Sequence, residues 1–150
     1  MPKLDLDSIP EVTRTGYPEP YRGAVAGRHY RRLAEATGLS DFGVNLCRLE
    51  PGAWSSQRHW HSKEDEFVMM VSGEAILITD AGETVLRPGD CAAFPAGLAD
   101  AHHLVNRSNT DALFLVVGTD KADDTCTYPD IDMHLPRGDG VFTHKDGTPW

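Results

Sequence analysis

Residues 66–97, EFVMMVSGEAILITDAGETVLRPGDCAAFPAG, decide the fold class. Short apolar segments rich in Val, Ile, Leu, Phe and Met are cut by Ser72-Gly73, Asp80-Ala81-Gly82, Pro88-Gly89 and Pro95-Ala96-Gly97. Segments this short, between turn residues, build strands rather than helices. The same rhythm runs outward to residues 42 and 118, and strands are expected at 43–49, 54–61, 66–71, 74–79, 83–86, 90–94, 102–106 and 112–118. Evenly spaced antiparallel strands without helices close up as a sandwich or barrel, which hides their edges. The expected class is therefore all-β.

Outside that span the composition changes. Residues 1–41 are rich in Pro, Gly and Arg and read as an N-terminal arm packing on a barrel formed by residues 42–118. Within the arm, 29–33 suits a short strand or, with 34–36, a helical turn. Residues 119–150 are polar again and read as a C-terminal arm docked through Tyr128, Ile131, Met133, Phe142 and Trp150.

The whole chain has 150 residues, the size of one domain. Its 14 Lys and Arg against 23 Asp and Glu leave a formal charge of −9, which repels nucleic acid and anionic membrane surfaces. The opening MPKLDLDSIP lacks the apolar run of an export signal, and no stretch is long enough to span a bilayer. Cys47, Cys91 and Cys126 are odd in number and widely spaced, so neither a disulfide framework nor a structural zinc site is expected. Cys47 and Cys91 lie in apolar stretches and are expected to be buried thiols in a cytoplasmic protein.

The residues with chemistry form two clusters. In QRHWHSKEDEF, His59 and His61 are two apart, so on a strand both imidazoles project from one face and Trp60 from the other. Glu66 follows at the head of the apolar FVMMV strand, where a carboxylate needs a partner such as a cation. In AHHLVN, only one of His102 and His103 can share that face. Three imidazoles and a carboxylate suit Fe, Mn, Ni or Zn as a divalent ion, with positions left open for substrate. His29, His134 and His144 read as surface or turn residues.

The two clusters carry a family resemblance. Gly52, His59, His61, Glu66 and Gly73 resemble the first cupin motif, and Gly89, Pro95, Gly97, His102 and Asn106 resemble the second. The spacing to Asn106 favours His102 over His103 and leaves the choice between them open. Two departures stand out: six residues separate Gly52 from His59, where the motif has five, and four separate Gly97 from His102, where it has two. Both are loop insertions ahead of ligand strands. The resemblance implies a double-stranded β-helix, the cupin jelly-roll barrel, with irregular terminal arms and a metal at the barrel mouth held by His59, His61, Glu66 and His102. Among small cupins the chain is most similar to a bacterial subgroup with a GLSDFGVNLCRLEPG opening and an FTHKDGTPW end, some of whose members are described as sugar-phosphate isomerases.

Such a site would polarise a carbonyl or hydroxyl of a small oxygenated substrate, giving metal-assisted isomerisation or epimerisation. The alternatives are an Fe(II)-dependent dioxygenase and a non-catalytic sensor or storage cupin. Arg58, Lys63 and Arg107 are the nearest cations in sequence for a substrate phosphate, and Glu64, Asp65 and Asp100 the nearest carboxylates beyond Glu66. Residues 67–71 and 75–78 are apolar on both faces, which leads to the expectation of a homodimer.

Overall fold

A computed structural model describes residues 3–137 and 140–150. Eleven strands dominate its described residues: β1 Arg28–Arg32, β2 Phe42–Leu49, β3 Trp60–His61, β4 Glu66–Ser72, β5 Ala75–Thr79, β6 Gly82–Leu86, β7 Cys91–Phe94, β8 His103–Val105, β9 Ala112–Thr119, β10 Cys126–Tyr128 and β11 Met133–Leu135. Two short helices, α1 Glu19–Arg22 and α2 Leu33–Thr37, lie in the N-terminal stretch. Both readings of residues 29–36 therefore apply, a strand followed by a helical turn. No described helix is long and apolar enough to cross a membrane.

The strands form a five-stranded sheet, β1-β2-β9-β4-β7, and two three-stranded sheets, β6-β5-β8 and β11-β10-β3. All strand pairs are antiparallel. The result is a jelly-roll-like β sandwich rather than a closed barrel. Alternation along each strand fills the space between the sheets: Cys47 and Leu49 from β2, Val68 and Met70 from β4, Phe114 from β9, Leu77 from β5 and Leu104 from β8 form the main core. Leu49, Met70 and Phe114 are fully buried, and each contributes roughly 1.5–3 kcal/mol by leaving water.

A second core joins the chain ends. Tyr17 and Val25 pack with Cys126, Tyr128 and Met133, flanked by Trp54 and Phe142. The edge-to-face contact of Tyr17 and Tyr128, centroids 5.9 Å apart, lies at its centre. This second core also explains why the expected strand 54–61 is cut short to Trp60–His61. The Gln57 N–H donates to the Tyr17 hydroxyl and the Gln57 amide to the Tyr21 carbonyl, which pulls residues 55–58 out of ladder register.

Cys91 departs from expectation. Cys47 and Cys126 are buried, whereas Cys91 is exposed. Its partners across the sheet explain this: Cys91 pairs with Met69, and β4 presents Phe67, Met69 and Val71 outward, 40–47% exposed, while Val68 and Met70 point inward.

Candidate metal centre

Local structure brings the four sequence-predicted ligands together. His59 and His102 face each other across an isolated antiparallel bridge, each donating its N–H to the other's carbonyl, at 3.2 and 2.9 Å. His61 follows on β3, which pairs with β10. Glu66 opens β4, and alternation sets it on the same inner face as Val68 and Met70.

The side chains converge. His59 Nε2 lies 3.2 Å from His61 Nε2. One Glu66 carboxylate oxygen is 3.6 Å from His61 Nε2 and the other 3.6 Å from His102 Nε2. Ligand atoms of His59, Glu66 and His102 all lie within 4.8 Å of one another.

Each ring is held from behind. His59 Nδ1 reaches the Gln57 carbonyl at 2.9 Å, and His61 Nδ1 reaches Asp124 Oδ2 at 2.6 Å. With Nδ1–H donating outward in both, the Nε2 lone pairs turn into the cluster. The His102 ring stacks flat on Phe94, centroids 3.5 Å apart and 6° from parallel. His103 turns elsewhere: its Nδ1 meets the Ser56 carbonyl at 2.8 Å and its ring packs edge-on against Trp54. Of the adjacent pair, His102 is the one beside Glu66.

The cluster suits a cation on its own evidence. His102 Nε2 is buried and has no hydrogen-bond partner among the described residues, a cost that a bound cation would remove. Burial pushes His59 down to about 4, so its imidazole is neutral. Burial acts to raise Glu66, but the His102 ring 3.6 Å away and the surrounding imidazoles outweigh it and hold the carboxyl down to about 2. A neutral imidazole and an ionised carboxylate are the forms that ligate a metal.

Three further residues bear on the site without any motif to announce them. Asp124, buried, accepts from His61 and from the Lys63 N–H at 2.8 Å. Cys126 Sγ sits 3.3 Å from His61 Nδ1, but burial pushes its thiol well up, so it remains protonated and a poor ligand. Arg28 lines the cavity that His59, Glu66 and His102 open into, a space of about 210 Å³ walled on one side by the five-stranded sheet through Tyr30, Asn45, Val68, Phe114 and Val116. Asp124 and Cys126 lie in the polar 119–150 stretch and Arg28 among several N-terminal arginines, so nothing local marked them.

The cations and carboxylates expected near a substrate are otherwise engaged. Arg58 pairs with Asp80 and with Asp130 at 2.8 Å, Lys63 with Asp123, and Arg107 with Glu83 at 2.7 Å. The Asp65 carboxylate accepts the Ala96 N–H and Asp100 accepts the Asp80 N–H, each tying one loop to another. Glu64 accepts the Lys121 N–H at 2.7 Å, and burial raises its carboxyl. Asn106, completely buried, donates to the Leu49 and Thr110 carbonyls and accepts from Ser108, so it ties a loop to the core.

Comparisons with known proteins agree with this picture. The Cupin domain model matches residues 45–118. No curated protein matches the chain. Among solved structures, a sugar phosphate isomerase from the cupin superfamily, from Silicibacter pomeroyi, is 52% identical, with 99% of this chain and 96% of that chain covered and a TM-score of 0.94. A putative sugar phosphate isomerase from Acidithiobacillus ferrooxidans is 32% identical over 79% of this chain and 76% of that one, at a TM-score of 0.72. A predicted oxalate decarboxylase from Thermotoga maritima, 22% identical over 78% of this chain and 97% of that one at a TM-score of 0.64, shares the fold. Both glycine–histidine motifs fall where the sandwich folds them onto one cluster, and a relative this similar spans nearly every residue. The chain belongs to the cupin superfamily.

Proposed function

We propose that this protein is a metal-dependent enzyme that isomerises or epimerises a small oxygenated substrate of the sugar or sugar-phosphate kind, with His59, His61, Glu66 and His102 as the ligands of a divalent Fe, Mn, Ni or Zn ion. The observation that carries this reading is the buried, unpartnered Nε2 of His102, whose ligand atom lies within 4.8 Å of those of His59 and Glu66 at the edge of a cavity. When bound, the ion would supply a Lewis acid for a substrate carbonyl or hydroxyl. The chain's own contribution is orientation and dryness. Gln57, Asp124 and Phe94 fix the three rings, and Val68, Phe114 and Val116 keep water from the cavity wall. The two neighbours described as sugar phosphate isomerases support the choice of reaction class.

Metal content after purification without added metal, followed by an assay on aldose and ketose phosphates, tests the reading. The expected result is near-stoichiometric transition metal and interconversion that a chelator abolishes. Oxygen uptake with diols or thiols would replace the isomerase by a dioxygenase. Tight ligand binding without turnover would replace it by a sensor or storage protein.

A homodimer through the outer face of the five-stranded sheet completes the proposal. The outward side chains of β4 and β9 there are Phe67, Met69, Val71, Leu113, Leu115 and Val117, none of them charged. A chain of charge −9 can meet its copy most readily across such a surface. Cys91 reports on it. Iodoacetamide should modify one thiol per chain in dilute protein, and this should slow at concentrations where sedimentation gives a dimer. Burial pushes the Cys47 thiol up to about 12 and also raises Cys126, so both stay unreactive. Sedimentation as a monomer at every concentration, with Cys91 labelled at a constant rate, would refute the dimer. Unpaired thiols at all three cysteines fit a cytoplasmic location.

A further inference from the structure

Arg28 is the cation of the cavity, and no carboxylate among the described residues neutralises it. It opens β1 opposite Leu49, on the inward face of the sheet together with Tyr30. Its Nη1 donates to the Ser55 carbonyl at 2.7 Å, and the guanidinium carbon lies 5.3 Å from the centre of the Tyr30 ring. Its Nε is buried and has no hydrogen-bond partner among the described residues. No carboxylate among them pairs with it, whereas Arg48 pairs with Glu11 and Asp111, Arg58 with Asp80 and Asp130, and Arg107 with Glu83. A guanidinium that lines a cavity with its Nε buried and unpartnered, and with no carboxylate beside it, calls for a ligand.

Guanidinium N–H groups form a planar fork that matches two oxygens of a phosphate or carboxylate. One face of the cavity therefore offers a site for an oxyanion and another, at His59, Glu66 and His102, a site for an oxygen ligand to a cation. The cavity holds about 210 Å³, below the range usual for drug-sized ligands, so both ends of one small molecule would be engaged together. We infer that Arg28 anchors an oxyanion of the substrate, which makes the substrate class a small oxygenated anion. This rests on the proposed reading of the histidine–glutamate cluster as the reaction site. Arg28 thus takes the role that Arg58, Lys63 and Arg107, each paired with a carboxylate, leave open.

The test separates the two readings by using different signals. Inorganic phosphate and labelled acetate are titrated into metal-free protein and followed by phosphorus and carbon NMR line broadening, for the natural chain, Arg28→Gln and Arg28→Lys. Circular dichroism checks that the variants fold. Saturable binding of at least one anion is expected, weakened about tenfold or more in Arg28→Gln and partly restored for phosphate in Arg28→Lys. Tighter binding of phosphate assigns a phosphorylated substrate and tighter binding of acetate a carboxylated one, and either supports the inference. Failure of the natural chain to bind both anions, or equal binding by folded Arg28→Gln, overturns it. Metal uptake, measured separately by elemental analysis, should be the same in Arg28→Gln as in the natural chain. Failure of the metal reading would show in that signal alone.

Discussion

Replacing His61 with alanine is expected to lower the affinity for a divalent transition metal by more than about 100-fold while the domain stays folded. The number follows from comparison with outer-shell changes, which typically cost 10–100-fold, since losing a ligand outright removes a bond rather than its orientation. His61 stands closest to two of the other three groups, 3.2 Å from His59 Nε2 and 3.6 Å from Glu66. The fold does not depend on it. Its backbone pairing with Cys126 survives the substitution, and Asp124 keeps the Lys63 N–H as a donor. Asp124→Asn supplies the graded control: the ring of His61 loses its charged partner but keeps its Nε2, so the loss should fall within the 10–100-fold range. His103→Ala should leave metal stoichiometry unchanged, because His103 bonds to the Ser56 carbonyl outside the cluster. Titration of the metal-free proteins with zinc, read by elemental analysis and calorimetry, checks all three. Unchanged stoichiometry in His61→Ala, or a larger loss in His103→Ala than in His61→Ala, would remove the proposed ligand set.

The contrast between His61 and Asp124 also shows what could be read from the chain alone. His59, His61 and Glu66 lie within eight consecutive residues, so strand alternation and a short turn are enough to predict that they share a face. His102 enters through the second glycine–histidine motif, and the strands around it are short and separated by strong turn signals. Asp124 is different. It reaches His61 only because β10 pairs with β3, a contact between residues 65 apart in sequence for Cys126 and His61. The polar stretch around it resembles any solvated arm, and its strand content comes from the partner rather than from local propensity. Arg28 was hidden for a related reason: its importance lies in the absence of a carboxylate, and pairing is a property of the folded surface. Cys91 shows the converse error. An apolar neighbourhood in sequence predicts burial, but the outer face of the five-stranded sheet is itself apolar.

Gly73→Ala is expected to be strongly destabilising, costing about 4 kcal/mol or more. Gly73 ends the first motif, in the turn between β4 and β5, with φ at +70°, a region that costs an L-residue roughly 1–2 kcal/mol. The larger part is steric. A Cβ at this position would stand 2.3 Å from the Asp111 carbonyl oxygen and 3.0 Å from the Ala112 Cα. Both are backbone atoms, so no side-chain rotation relieves the contact; either β9 or the β4–β5 turn must move. Ala112 is fully buried and pairs with Leu49, and the β4–β9 ladder already shifts register between Met70 and Ser72, which leaves little slack on either side. Gly89→Ala isolates the conformational part. Its φ is +92° and no atom lies within 4 Å of the added methyl, so about 1–2 kcal/mol is expected there. For a chain of this length a loss of 4 kcal/mol lowers the melting temperature by ~10 °C, so thermal and urea unfolding of the two variants should separate them clearly. Equal losses in Gly73→Ala and Gly89→Ala would mean that the turn can yield without disturbing β9. The motif glycine would then serve its φ alone rather than the close passage of one strand over the next.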